Sequence, residues 1–157
     1  MGAGFSFTCK KCGNEYRAFF GSGMMYPSIY ERVMGEIQSG KYGTELQELS
    51  NTIPYVAVDA ENTVYYCKDC CIWEVSPNLS LYTPRNMDYI QREIEKYGRS
   101  PYPWKSTLRS HYRIIKRYYH KCGKCGRRMR QLSFSETSSL PCPKCGEKNE
   151  GCMLLWD

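Results

Sequence analysis

The sequence predicts an α+β protein made of two small β units, with helices inserted between the strands. Three observations lead there. Four Cys-x2-Cys turns stand at Cys9/Cys12, Cys67/Cys70, Cys122/Cys125 and Cys142/Cys145. Short runs of aromatic and β-branched residues flank them, as strands require. Helical periodicity is confined to the stretches between the turns.

The C-terminal turns carry the strongest signal. Cys122-Gly-Lys-Cys125-Gly126 and Cys142-Pro-Lys-Cys145-Gly146 are separated by sixteen residues, 126 to 141. That is the spacing of a four-thiolate zinc site. Each turn points two sulfurs at one centre, and two turns complete the tetrahedral shell that zinc prefers. The glycine after each second cysteine suits a backbone that needs a positive φ. Cys9-Lys-Lys-Cys12-Gly13 repeats the pattern, as does Cys67-Lys-Asp-Cys70. Chain order suggests joining Cys9/Cys12 to Cys67/Cys70 and Cys122/Cys125 to Cys142/Cys145, giving two bound Zn2+ ions. Ten cysteines without an export signal point to a reducing, cytoplasmic setting and to metal ligands rather than disulfides. Cys71 stands where the other turns have glycine and is expected to be a buried thiol. Cys152 is expected to pack within the last strand.

Taken in order, Phe5 and Phe7 read as a strand before the first turn, and Tyr16–Phe20 as its return. Ser28 and Glu31 have capping-box spacing, with Ile29, Val33 and Ile37 on one face of the helix that follows. Thr44 and Gln47 suggest a second box and a short helix carrying Leu46 and Leu49. Tyr55–Val58 and Thr63–Tyr66 return to strand character, followed by Ile72–Val75. Residues 76–86 read as a connector. Asn86 caps a helix over 87–97, striped by Met87, Ile90, Ile94 and Tyr97 and stopped by Gly98. Pro101 and Pro103 bar regular structure from 99–104. Residues 111–119 favour a strand, as do Arg127–Phe134 and 152–156, with Ser135–Leu140 a polar loop. The expected units are residues 1–83, holding a helical insertion, and 105–157. A helix and a proline-rich basic linker over 84–104 would join them.

The formal net charge is +6, and its distribution says more. From Arg99 to Arg130 there are eleven basic residues and no acidic one. Cations neutralise phosphates, and aromatic faces stack on unpaired bases. Arg109, Arg113, Lys116, Arg117, Lys121, Arg127, Arg128 and Arg130, interleaved with Trp104, Tyr112 and Tyr118, therefore form a candidate nucleic-acid surface. The other reading of the block is pairing with internal acids or a protein partner. No apolar run approaches membrane-spanning length. A catalytic constellation is hard to assemble: His111 and His120 are the only imidazoles, and four-thiolate sites are closed to water. No catalytic residue is assigned.

The Cys122–Cys145 turns resemble those of the zinc-ribbon superfamily, and Cys9–Cys70 resembles it more loosely. The chain as a whole looks like short bacterial zinc-ribbon proteins that open with Met-Gly-x-Gly-Phe and Cys-x-x-Cys-Gly. The resemblance implies two four-cysteine ribbons and a role in binding rather than catalysis, with nucleic acid or another protein as partner. Cys142-Pro-Lys-Cys145-Gly146 is also similar to one rubredoxin turn, which would imply iron and electron transfer. The function expected is thus a non-catalytic zinc-binding module that contacts nucleic acid through residues 99–130. The alternative is an adaptor or small regulator docking another chain.

Overall fold

A computed structural model describes residues 2–156 and shows a mixed helix and antiparallel-sheet architecture. The chain forms two compact units that interleave along the sequence. Unit 1 takes residues up to Met25, Glu61–Ser76 and those from Tyr119 onward, and unit 2 takes Tyr26–Ala60 and Pro77–Tyr118.

Unit 1 is built on β1 (Gly2–Thr8), β2 (Glu15–Gly21), β4 (Asn62–Cys67), β5 (Ile72–Pro77), β8 (Arg130–Gln131) and β9 (Cys152–Trp156). The sheet runs β5-β4-β2-β1-β9, with β8 also on β4. β1 and β2 form a hairpin whose register runs from Gly2↔Gly21 to Thr8↔Glu15. Phe5 and Phe7 alternate with half-buried Ser6 and place their rings on the core face beside Tyr16, Ala18, Val64 and Leu140. Phe7 and Tyr16 are cross-strand partners, and their rings stack at 4.7 Å, the pairing that stabilises a sheet most directly. A one-turn helix, α5 (Phe134–Thr137), starts with a capping box in which Ser133 and Glu136 satisfy each other's backbone N–H groups.

Unit 2 contains α1 (Tyr26–Gln38), α2 (Thr44–Thr52), α3 (Met87–Tyr97) and α4 (Lys105–His111). Its strands are β3 (Ala57–Val58), β6 (Leu81–Pro84) and β7 (Tyr112–Lys116), which form a sheet of order β3-β6-β7. Tyr26, Tyr30, Val33 and Ile37 recur at helical spacing and bury one face of α1 against Leu46, Val58, Leu79 and Leu81. α3 keeps the bounds read from the sequence. Asn86 accepts a hydrogen bond from the Asp88 N–H at 2.8 Å, and Gly98 ends the helix at φ 68°.

The structure differs from expectation at several places. α1 starts at Tyr26 rather than Ser28. α2 begins at Thr44 without a side-chain cap, because Gly43, which has no side chain, holds the N-cap position, and Gln47 donates instead to the Gln38 carbonyl. The connector over 76–86 contains β6, and the loop over 135–140 contains the end of α5. The strand expected over 127–134 shrinks to β8, and the one over 111–119 is divided between the end of α4 and β7. Residues 84–104 are no linker. They lie within unit 2, where Pro103 is buried and the Tyr26 hydroxyl donates to its carbonyl at 2.9 Å. The division into 1–83 and 105–157 gives way to the interleaved units.

β1 lies between β2 and β9, so its backbone is approached from both sides. A Cβ on Gly4 would stand 2.8 Å from the Ala18 carbonyl oxygen and from the Phe19 ring. The backbone atom has little room to yield. Gly4→Ala is expected to destabilise unit 1 by about 1–3 kcal/mol, read as a lower midpoint in urea unfolding of the metal-loaded protein.

Candidate metal centres

Each Cys-x2-Cys turn folds by the same local rule. In three of them the residue after the second cysteine is a glycine at positive φ: Gly13 at 70°, Gly126 at 71° and Gly146 at 77°. Its N–H returns to the carbonyl of the first cysteine at 2.8 Å. The chain then turns back so that the first cysteine's N–H donates to Asn14, Arg127 or Glu147. The remaining turn holds Cys71 in that position at φ 53°, a region that strains a residue carrying a Cβ.

The eight cysteines at the turns gather into two groups, but not those expected from chain order. Cys9, Cys12, Cys142 and Cys145 form one, and Cys67, Cys70, Cys122 and Cys125 the other. Within each group all sulfurs lie within 4.8 Å of one another. Cys9 and Cys145 are 3.5 Å apart, Cys12 and Cys142 3.7 Å, Cys67 and Cys125 3.6 Å. A tetrahedral ion with metal–sulfur bonds of about 2.3 Å holds its sulfurs about 3.8 Å apart. A disulfide would need about 2.05 Å, and all ten cysteines are free. The donor set and spacing thus fit two metal ions.

Strand pairing explains the exchange of partners. β9 follows the fourth turn and runs antiparallel to β1, which precedes the first, from Gly2↔Trp156 to Ser6↔Cys152. That ladder brings the turns at the two ends of the sequence together. β8 follows the third turn and pairs with β4, which precedes the second, at Tyr65↔Gln131 and Tyr66↔Arg130. Local contacts brace both groups. Asn149 accepts from the Lys10 N–H at 3.0 Å, Tyr16 donates to the Leu140 carbonyl, and Trp73 to that of Pro141. Asn14 donates toward the Cys142 sulfur at 3.7 Å. At the second group Glu74 accepts from the Gly123 N–H at 3.1 Å and meets His120 Nε2 at 2.8 Å. His120 lies over the Tyr65 ring and does not join either group of thiols.

The thiols of each group divide their protons unequally. Burial opposes ionisation of Cys9, but the N–H groups of Cys12 and Lys11 outweigh it and lower the thiol to about 6. At Cys122 the Cys125 N–H leads, burial opposes and the Lys124 N–H adds, giving about 7. Contacts with the Cys125 thiol, together with burial, push Cys70 up to about 12. At Cys145 the Glu147 N–H pulls down, but burial and the neighbouring sulfurs prevail, again at about 12. Thiols that ionise first hold the others protonated. A divalent cation entering the group displaces those protons.

The basic block is divided between the two units. Arg109, Arg113, Lys116 and Arg117 belong to unit 2, and Lys121, Arg127, Arg128 and Arg130 to unit 1. Each unit holds eleven of the 22 basic and eight of the 16 acidic residues. Lys116 is paired with Glu45, Arg127 with Asp69 and Arg130 with Glu136, while Arg128 lies over the Tyr119 ring. Tyr112 is in the core of unit 2 with Ile90 and Leu108, so it presents no face to a base. Tyr118 is half-buried against the neighbouring core, and Trp104 stacks on Tyr26. A different basic pattern appears instead. Lys10, Lys11, Lys68, Lys124 and Lys144 all lie between the paired cysteines of their turns, and all are exposed. The repeated Cys-x-Lys-Cys or Cys-Lys-x-Cys was visible in the sequence and marks this pattern.

Two further expectations are corrected. Cys71 is exposed rather than buried, its thiol bonded to the Lys68 carbonyl. Cys152 lies in the last strand but is exposed too. In both cases the chain on either side is fixed by the turn or the ladder, which leaves the side chain on the solvent face. No helix among the described residues is long and apolar enough to cross a membrane. No protein-family model, curated protein or solved structure matches the chain.

The crossed grouping has a clear stoichiometric consequence. Replacing Cys9, Cys12, Cys142 and Cys145 together by Ala should leave one ion per chain in native mass spectrometry. Grouping by chain order would leave two half-sites and no ion. Replacing Cys71 by Gly removes the strain at φ 53°, offset in part by glycine's greater freedom when unfolded. The expected gain is roughly 0.5–1 kcal/mol, read as a rise in melting temperature with the metal content unchanged.

Proposed function

We propose that the chain is a non-catalytic zinc-binding module whose two ions clamp unit 1 into a surface for binding a polyanion, with nucleic acid as the partner. The observation that carries this reading is the placement of charge around the thiols. Every one of the four turns offers an exposed lysine, and Lys121, Arg127 and Arg128 are exposed beside them. Zinc suits four thiolates at tetrahedral spacing, and such a shell has no open position for a reacting water. Its role is then to hold the turns and the cations they carry. The cations need no base contact to grip a phosphate backbone, and Tyr112 takes no part.

A second reading has its own support. Two ions in eight thiolates contribute a charge of −4, which takes unit 1 from +3 to −1. β9 is at one edge of the sheet, with Met153 and Leu155 exposed. An edge strand with apolar side chains is a template for a strand of another protein. On that reading unit 1 is an adaptor.

Elemental analysis of freshly purified protein is expected to give two zinc per chain, and iron in their place would rule zinc out. Fluorescence anisotropy with labelled single- and double-stranded probes is expected to show binding at low salt that falls steeply as salt rises. Joint replacement of Lys124, Arg127 and Arg128 by Ala should weaken it about ten-fold or more. No binding at low salt rejects the nucleic-acid reading. A protein that co-purifies stoichiometrically after nuclease treatment, and is lost on replacing Met153 and Leu155 by Lys, selects the adaptor.

A further inference from the structure

Unit 2 has a cavity of about 230 Å3 with five aromatic side chains among the eleven residues that line it. α3 lines it with Tyr89, Glu93 and Tyr97, one helical turn apart along a single face. Tyr26 comes from the start of α1, and Tyr102 and Trp104 from the segment after α3. The walls are braced. Trp104 stacks on Tyr26 at 4.3 Å, and His111 backs Tyr89 at 4.2 Å with the rings 6° from parallel. Tyr26 is fully buried, whereas Tyr97 and Trp104 are exposed at 54% and 40%. The cavity therefore has a closed floor and an open mouth.

Its electrostatics favour a cation. Aromatic faces attract positive charge through the ring quadrupole. Glu93, half-buried in the wall, has no ion-pair partner among the described residues. Two cations of the chain already lie on these rings. The Arg99 guanidinium is 4.0 Å from the centre of the Tyr102 ring, and the Lys96 ammonium is 4.8 Å from that of Tyr97. Arg99 is exposed, and its hydrogen bond is a long one, 3.5 Å to the Ser100 carbonyl. Its main hold is the Tyr102 side chain itself, through the ring face and the hydroxyl.

We propose that this cavity binds a methylated ammonium group, as carried by choline or by a trimethylated lysine side chain, and that Arg99 is an internal occupant which the ligand displaces. A methylated ammonium makes no hydrogen bonds that the rings would leave unmet, and it spreads its charge over methyl groups that pack on aromatic faces. Glu93 supplies the counter-charge. The proposal concerns unit 2 alone and stands whatever unit 1 binds.

Isothermal titration of the full-length, metal-loaded protein tests it with four probes. These are choline, its uncharged isostere 3,3-dimethylbutan-1-ol, a short trimethyllysine peptide, and adenosine monophosphate. Choline or the peptide should bind at least about ten-fold more tightly than the isostere, because charge and not shape is read. The tighter of the two identifies a free metabolite or a protein as the source. Glu93→Gln and Tyr97→Ala should each weaken binding about five-fold, with circular dichroism unchanged. Arg99→Ala should tighten it by vacating the Tyr102 face. Equal binding of the isostere, absence of binding by both cations, or weaker cation binding in Arg99→Ala would overturn the proposal. Preferred binding of the nucleotide, lost in Arg99→Ala, would also overturn it and make the cavity a base-stacking site.

Discussion

Four thiols within 4.8 Å of one another are tolerable as neutral groups or around a cation, and costly as bare thiolates. The cysteine turns of unit 1 answer to that constraint. The backbone N–H groups of each turn favour ionisation of Cys9, Cys122 and Cys142. Crowding keeps Cys70 and Cys145 protonated. The groups thus present partly ionised donors with protons ready to leave when a metal arrives. The apolar inventory around them is modest, and a bound metal would take on work that a larger core otherwise does.

The same constraint shapes the surface. A four-thiolate centre with a divalent ion keeps two negative charges, and each turn carries an exposed lysine. The charge of these lysines screens the centre and, on the function proposed above, also meets a polyanionic partner. Net charge alone does not separate the two roles, because unit 1 comes out close to neutral once both ions are counted. The charge is nonetheless segregated, with the thiols gathered inside the turns and the lysines exposed outside them. Unit 2 uses other means. It has a core of Tyr, Val, Ile and Leu, a helix capped at both ends, and no cysteine.

Much of this was legible in the sequence, and what was not has a common cause. The eight ligands and α3 are local signals: a turn of four residues, a cap, a stripe, a glycine stop. The grouping of the turns depends on strand ladders between residues distant in sequence, such as Gly2↔Trp156 and Tyr66↔Arg130. Preference for the shorter loop is a weak guide, since doubling a loop costs only about 0.6 kcal/mol. The division of the basic block has a similar reason. The block is continuous in sequence, but the chain passes from unit 2 to unit 1 after Tyr118. Tyr112 read as a stacking aromatic because its alternation in β7 does not reveal which face meets the core.

The nesting of the two centres bears on how the chain matures as it leaves the ribosome. The inner centre spans Cys67 to Cys125 and can close while the last turn is still unmade. The outer one must wait for Cys145, and β1 for its second neighbour in β9. Until then Cys9 and Cys12 wait as an open pair of thiols, with one edge of β1 bare. Chain order therefore lets the inner group assemble before the outer one, and β9 closes the ladder on β1 afterwards.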